Sequence, residues 1–184
     1  MKTIAFTGHR PDKLFGYDLK NNNYKILAKN LYDVLKNQIE QCDADTFITG
    51  GALGFDTLAF CVVEKLKKDY EVYQLLAIPF TNQPNNWSQD SISRYNKIKT
   101  KATNIYVDEQ QEDKDYSIKG TNPGEYHPAK MQKRNEWMVD HCDLLIGCWD
   151  GVKKGGTWNC LNYAKKLNKE IIIINPKTFE TYCL

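Results

Sequence analysis

The amino-acid sequence predicts an α/β fold of the Rossmann-like kind: an open, mostly parallel sheet with helices on both of its faces. Two observations carry this prediction. Six short runs of aliphatic and β-branched residues are apolar at successive positions, as in strands that are buried on both faces. Stretches with apolar residues at three- and four-residue spacing lie between these runs, and this alternation is typical of βαβ units.

The predicted elements alternate through nearly the whole chain. Strands are expected at residues 3–7, 46–49, 72–78, 103–107, 143–148 and 170–174. Helices are expected around residues 24–39, 58–66, 131–141 and 161–167, with a more polar one at 91–101. The long polar segment 108–127 contains Gly120, Pro123 and Gly124, and it is interpreted either as a binding lid or as an acidic irregular excursion.

Length and composition limit the class of protein. The chain has 184 residues, which fits a single domain over 1–184, and a domain of about 150 residues buries roughly 70% of its unfolded surface. A formal net charge of +2 makes nucleic acid and membrane surfaces unfavoured partners, and no apolar run approaches the ~20 residues of a membrane span. The six cysteines form no CxxC or Cys/His cluster, so we expect reduced thiols, a cytoplasmic protein and no metal or redox cofactor. Exposed aromatic residues would allow a homo-oligomer.

Turns that follow strands are the first candidates for a site, because open α/β sheets bind ligands beyond the carboxyl ends of their strands. The first strand leads into Thr7-Gly8-His9-Arg10-Pro11. Here Gly8 relaxes the backbone where His9 and Arg10 bring an imidazole and a guanidinium together, and Arg10 suits a bidentate contact with phosphate. An ordinary turn with a solvated arginine explains the segment equally well.

The second strand ends in a glycine-rich turn, GGALGFD from Gly50 to Asp56, directly before a helix. Gly50, Gly51 and Gly54 would let the backbone approach a ligand, and the helix N-terminus offers N–H groups to a phosphate. Asp56 is expected either to accept hydrogen bonds from ribose hydroxyls or to interact with the helix dipole. The turn is neither a P-loop nor a G-x-G-x-x-G fingerprint.

A second glycine-rich turn follows the fifth strand. It begins with Asp150 and continues through two lysines to Gly155, Gly156 and Thr157 at the start of the last helix. We expect these residues to contact a phosphate or ribose phosphate. Two such turns in one small domain predict an anion site at one edge of the sheet.

Aromatic and polar residues elsewhere would complete this site. Phe80 and Trp87 follow the third strand and offer a surface for base stacking, worth about 1–3 kcal/mol, unless they belong to the core. Gln132, Arg134 and Asn135 lie near the start of the fourth helix and would reach the same cleft, or else form a solvated polar face.

Four of these motifs together resemble the SLOG superfamily, the Rossmann-like domains related to the Lonely Guy phosphoribohydrolases and to DprA, and in particular its YpsA-like branch. The motifs are TGHRP from Thr7, GGALGFD from Gly50, MQKRNEWMVD from Met131 and GGTWNC from Gly155, in this order along the chain. The resemblance implies a pocket for nucleotides or their derivatives that is bounded by the glycine turns.

The resemblance also implies catalytic residues, with one departure. In Lonely Guy enzymes an arginine of an M-x-x-R-K motif and a glutamate of a G-G-x-G-T-x-E-E motif cleave the N-glycosidic bond of a nucleoside monophosphate. Arg134 matches that arginine, whereas Asn159 stands where the glutamate is expected. An asparagine is no general base, and an oxocarbenium-like transition state needs a nearby carboxylate. Asp56 and Asp150 remain as candidates to supply it.

Three functional hypotheses follow. The first is a sensor or sequestering protein that binds a nucleotide or a nucleotide-derived signal, such as an ADP-ribose derivative. The second is a nucleotide N-glycoside hydrolase with a displaced carboxylate. The third is a single-stranded DNA-binding module, which the weak net basicity disfavours.

Overall fold

The computed structural model describes residues 1–109, 115–122 and 124–184. In this part of the chain the strands are Lys2–Gly8 (β1), Ala44–Thr49 (β2), Tyr73–Ile78 (β3), Thr103–Tyr106 (β4), Leu144–Cys148 (β5), Glu170–Ile174 (β6) and Thr181–Cys183 (β7). The α-helices are Asn22–Cys42 (α1), Phe55–Leu66 (α2), Gln89–Lys101 (α3), Pro128–Asp140 (α4) and Gly156–Lys166 (α5). Short 3₁₀ helices occupy Pro11–Lys13 and Val107–Glu109.

The strands form a seven-stranded sheet in the order β4-β3-β2-β1-β5-β6-β7, and every pairing is parallel except that of β6 with β7. The chain starts at the centre, builds one half of the sheet with β2 to β4, and returns to place β5 on the other side of β1. Strand order therefore reverses between β1 and β5, which is where ligands of such sheets bind.

The central strand is apolar on both faces because each face is covered by helices. Ile4 and Phe6 pack into a core with α1 and α2, whereas Ala5 belongs to a second core with α4 and α5. A smaller cluster joins α3 to β3 through Tyr95 and Leu76. These two covered faces confirm the predicted Rossmann-like class.

Helix α1 shows how the sequence sets the ends of an element. The side chain of Asn21 accepts a hydrogen bond from the backbone N–H of Asn23, which caps the first turn. Tyr24 and Leu27 begin the buried stripe of the helix, and Asp43 ends it in a left-handed conformation with φ of 53°.

Three further observations bear on the sequence-based expectations. All six cysteines are free. Among the described residues, no helix combines the length and the apolar character that crossing a bilayer requires. Residues 110–114 and Pro123, which belong to the segment interpreted as a lid, lie outside the part of the chain that the structure describes.

Candidate functional site

A cavity of about 280 Å³ opens beyond the carboxyl ends of β1 and β5, at the reversal of strand order. It is lined by Phe6, Thr7, Gly8, His9, Arg10, Asp12, Lys13, Ala52, Asp56, Met131, Arg134, Asn135, Lys154, Gly155, Gly156 and Thr157. This lining contains four lysine and arginine side chains and two carboxylates, so the cavity favours an anionic ligand. We call this space the central cavity.

Glycines bring the first two strand-to-helix turns into direct contact. A Cβ atom at Gly8 would lie 2.5 Å from the Cβ of Phe55, and a Cβ at Gly54 would overlap the backbone oxygen of His9. Gly54 also has a φ of +96°, which L side chains rarely adopt. The close approach lets the N–H of Phe55 donate to the His9 oxygen at 3.2 Å.

That contact closes the N-terminus of α2 to a ligand. Besides Phe55, Thr57 donates its backbone N–H to the oxygen of Ala52, and Leu58 donates to that of Gly54. The GGALGFD turn therefore presents a side chain, Asp56, to the central cavity rather than a row of free N–H groups.

The N-terminus of α5 is open by contrast. Gly155 precedes the helix with a φ of +90° and supplies no side-chain cap. Within the described residues, the N–H groups of Gly156, Thr157 and Trp158 have no acceptor, since the first helical bond runs from Asn159 to Gly155. A Cβ at Gly156 would meet no atom within 4 Å, so space remains beside these N–H groups.

Two lysines stand near this open helix end. Lys154 directly precedes Gly155, and the Nζ of Lys13 lies 3.9 Å from the position that a Cβ at Gly155 would occupy. Both lysines line the central cavity. The helix dipole and two ammonium groups together favour a phosphate at this end of the cavity.

A buried ion pair forms the opposite wall. Nη1 of Arg134 lies 3.8 Å from Oδ2 of Asp56, and the two side chains are 6% and 8% exposed. Nε and Nη1 of Arg134 have no hydrogen-bond partner among the described residues. Burial raises the pKa of Asp56, while the charges of Arg134 and Arg10 and the N–H of Ala52 act against that rise. Burial likewise lowers the pKa of Arg134, against the effect of Asp56.

Gly50 makes room for this arginine. A Cβ atom at Gly50 would overlap Nη1 of Arg134, so only glycine allows the guanidinium to cross the end of β2. The Gly50 oxygen accepts a hydrogen bond of 3.1 Å from Nε2 of Gln83, whose Oε1 accepts one of 3.0 Å from the hydroxyl of Tyr95. These two hydrogen bonds hold the loop after β3 against Gly50 at the end of β2.

His9 connects the cavity to the turn between β6 and β7. Its Nε2 lies 3.0 Å from Oδ1 of Asp150, and Nζ of Lys177 lies 3.1 Å from the other oxygen of Asp150. Burial alone would raise the pKa of Asp150, but hydrogen bonds from Lys177, the Val152 N–H and His9 lower it to about 2. Asp150 is thus an ionised support for His9 and is not part of the cavity lining.

Two recesses adjoin the central cavity. The aromatic hollow, about 460 Å³, shares Arg10 and Met131 with the cavity and is lined further by Phe80, Asn82, Gln83, Asn85, Asn86, Trp87, Gly124 and Tyr126. The amide groove, about 730 Å³, lies between α4 and α5 and is lined by Tyr126, Pro128, Ala129, Met131, Gln132, Asn135, Glu136, Gly156, Asn159, Asn162, Tyr163 and Lys166.

The structure divides the predicted site residues among these spaces. The central cavity collects Gly8, His9, Arg10, Asp56, Arg134, Gly155, Gly156 and Thr157. Phe80 and Trp87 lie in the aromatic hollow, where Phe80 is only 4% exposed and forms a T-shaped contact with the ring of Tyr126. Gln132 and Asn159 lie in the amide groove, outside the central cavity. Four other predicted residues are absent from these linings and support the site through packing or hydrogen bonds: Gly50, Gly51, Gly54 and Asp150.

Sequence reasoning missed Asp12 and Lys13. Pro11 begins a short 3₁₀ helix, and this turn brings the two following side chains back to the cavity. Proline at the first position of a helical turn was the available signal, since its fixed φ favours that position.

Comparison with known proteins gives matches over most of the chain. A family model described as the YspA SLOG family matches residues 4–179. An uncharacterised SPbeta prophage-derived protein of Bacillus subtilis, YoqJ, is 42% identical over 149 residues, which cover 80% of this chain and 85% of the relative.

Solved structures of DprA share the fold. DprA from Streptococcus pneumoniae aligns over 94% of this chain with a TM-score of 0.60 and 13% identity, and this chain spans 50% of that longer protein. DprA from Helicobacter pylori, described with a single-stranded DNA binding mode, aligns over 94% of this chain and 64% of its own, with a TM-score of 0.53 and 16% identity.

Proposed function

Since this chain belongs to the YspA SLOG family, we propose that its central cavity binds a phosphorylated, nucleotide-derived small molecule, for which the protein acts as a sensor or sequestering protein. The notion of a nucleotide-derived ligand agrees with the family and with the position of the cavity at the reversal of strand order.

The open N-terminus of α5 is the observation that carries the proposal. Among the described residues its N–H groups at Gly156, Thr157 and Trp158 have no acceptor, and a Cβ at Gly156 would meet no atom within 4 Å. A phosphate placed there receives hydrogen bonds and interacts with the positive end of the helix dipole. Lys13 and Lys154 add positive charge beside it.

The Arg134–Asp56 pair supports a ligand at the opposite wall. A buried donor without a partner costs about 1–3 kcal/mol, and within the described part of the chain Arg134 has two such donors in Nε and Nη1. An oxygen-rich ligand would lower that cost, and the carboxylate of Asp56 would accept hydrogen bonds from ribose hydroxyls. Perturbed, buried charges of this kind concentrate at functional sites.

A hydrolase remains the second candidate because of Asp56. It is a carboxyl group inside the central cavity, and burial raises its pKa, as is typical of carboxyl groups that donate or accept protons in catalysis. Asn159 supports the binding protein instead, because it lies in the amide groove and offers no charge to an oxocarbenium-like centre. The likeness to DprA concerns the fold alone and gives no support for a single-stranded DNA ligand.

Calorimetric titration with inorganic phosphate, AMP and ADP-ribose, combined with chromatographic assay of released base, tests both candidates. We expect binding of a phosphorylated ligand without base release. Gly156→Val should weaken that binding at least tenfold, because its side chain fills the space beside the open N–H groups while φ at this position is not positive.

Gln89→Val provides the matched control. Gln89 is the exposed first residue of α3, just as Gly156 is the exposed first residue of α5, so both variants place valine at the same helical position. Equal affinity in wild type, Gly156→Val and Gln89→Val would reject the phosphate site. Release of free base by the wild type would replace the sensor with the hydrolase.

A further inference from the structure

The amide groove has an unusual lining for a space between two packed helices. Gln132, Asn135 and Glu136 follow one another at helical spacing on α4, and Asn159, Asn162 and Lys166 do so on α5. Two polar stripes therefore face each other across a space of about 730 Å³.

The amides of this groove are available for a ligand. Gln132 makes a long contact of 3.4 Å with Glu136. In the described chain, no hydrogen bond involves the side-chain amide of Asn135, Asn159 or Asn162. The groove carries one acidic and one basic side chain, Glu136 and Lys166, so its formal charge is balanced. Its chemistry suits a neutral group with several donors and acceptors rather than a phosphate.

The groove continues directly from the phosphate end of the central cavity. Gly156 and Asn135 line both spaces, and the missing side chain of Gly156 keeps their junction open. A ligand with its phosphate on the N–H groups of α5 can therefore extend between α4 and α5.

We infer that the amide groove binds the nucleobase of the ligand, and that Asn159 and Asn162 determine base specificity there. The inference rests on the proposed function, because it takes the phosphate to lie at α5. Each amide offers an N–H donor and a carbonyl acceptor, the combination with which asparagine and glutamine contact base edges in pairs. On this account Asn159 is a recognition residue, and its amide serves better than a glutamate because a carboxylate only accepts hydrogen bonds.

Affinities for nucleotides and for ribose 5-phosphate test the inference. Calorimetry first measures the affinity of the wild-type protein for AMP, GMP, CMP, UMP and ribose 5-phosphate. The nucleotide that binds most tightly is then used with the variants. We expect it to bind at least tenfold more tightly than ribose 5-phosphate, because only the nucleotide has a base. Asn159→Leu and Asn162→Leu should each lower the affinity for the nucleotide by about tenfold and leave the affinity for ribose 5-phosphate within about twofold of the wild-type value.

Asn37→Leu, at an exposed position on α1, is the matched control and should change neither affinity. Equal wild-type affinity for ribose 5-phosphate and every nucleotide would overturn the inference and leave the phosphate site standing. Equal weakening of nucleotide and ribose 5-phosphate in the two variants would also overturn it, since the residues would then act on the fold. Failure of the wild type to bind any of the five compounds, together with inorganic phosphate and ADP-ribose, would reject the proposed function itself.

Discussion

Replacing Arg134 with methionine tests whether the buried ion pair with Asp56 stabilises the wall of the central cavity that it forms. At a separation of 3.8 Å, and with an effective dielectric constant of about 20, the two charges attract each other by about 4 kcal/mol. Removing one partner leaves the other buried without compensation, which typically costs about 3–5 kcal/mol of the free energy of unfolding. Arg134→Met and Asp56→Asn should each fall in this range.

The double variant distinguishes the interaction between the two charges from the interactions of each residue with its surroundings. Neither buried charge remains in Asp56→Asn/Arg134→Met, so we expect it to be within about 1 kcal/mol of the wild type and more stable than either single variant. Urea denaturation of the four proteins at pH 7, followed by circular dichroism, measures these free energies. Losses in the double variant that equal the sum of the two single losses within about 0.5 kcal/mol would show that the residues do not interact.

The pH dependence of Arg134→Met gives a second check on the same pair. Burial raises the pKa of Asp56 above its unfolded value, so its favourable contribution is complete below the unfolded pKa and is lost as the pH rises through the folded pKa. Loss of Arg134 removes an interaction that lowers this pKa and therefore raises it further. The destabilisation should be largest at pH 7 and decrease toward pH 4.

Three other predictions concern neighbouring positions. Gly50→Ala should weaken binding of a phosphorylated ligand at least tenfold and also lower the free energy of unfolding, because its Cβ displaces Arg134 from Asp56. Gly51→Ala, at a φ of +64°, should lower the free energy of unfolding by at least about 1 kcal/mol without a comparable loss of affinity, and equal losses of affinity in the two variants would contradict this division. Asp150→Asn should lower the free energy of unfolding by about 1–2 kcal/mol at pH 7. The difference from wild type should shrink as the pH falls from 4 toward 2, because a carboxylate with a lowered pKa stabilises the fold above its unfolded pKa and loses this effect as the pH falls through its folded pKa. A difference that does not change with pH would refute this prediction. Asn159→Glu should not create base release from a nucleoside monophosphate, since residue 159 is inferred to contact the edge of the base in the amide groove, and released base in a chromatographic assay would show the opposite.

The sequence predicted the fold because its strongest signals were local and unambiguous. The doubly apolar runs at β1 and β5 require helices on both faces, and each was followed by a glycine-rich or polar turn. Strand β7 was missed because its three residues are all exposed, so no hydrophobic pattern marks them. The resemblance to the SLOG superfamily was confirmed by the family model over residues 4–179.

The candidate site was less predictable, because it depends on contacts between distant segments. The two glycine-rich turns look alike in sequence, yet the oxygen of His9 closes one helix N-terminus and leaves the other open. No local pattern reveals such a contact. Similarly, the sequence marks Asn159 only as an asparagine at the position of the Lonely Guy glutamate. The groove in which it lies is formed by the packing of α4 against α5, which the sequence does not reveal.

The pairing of β1 with β5 also governs when the site comes into existence as the chain folds. Ile4 and Leu144 are register partners, so two walls of the central cavity come from opposite ends of the chain. An emerging polypeptide that stops after β4 has neither α5 nor the residues of α4, and it has nowhere to hold the ligand. Pairing over such a sequence distance is slow, because the intervening loop must be closed first. A ligand at 100 times its Kd then stabilises only the finished protein, by about 2.7 kcal/mol, and retains newly made chains in the native state once the last β-strands of the sheet have joined.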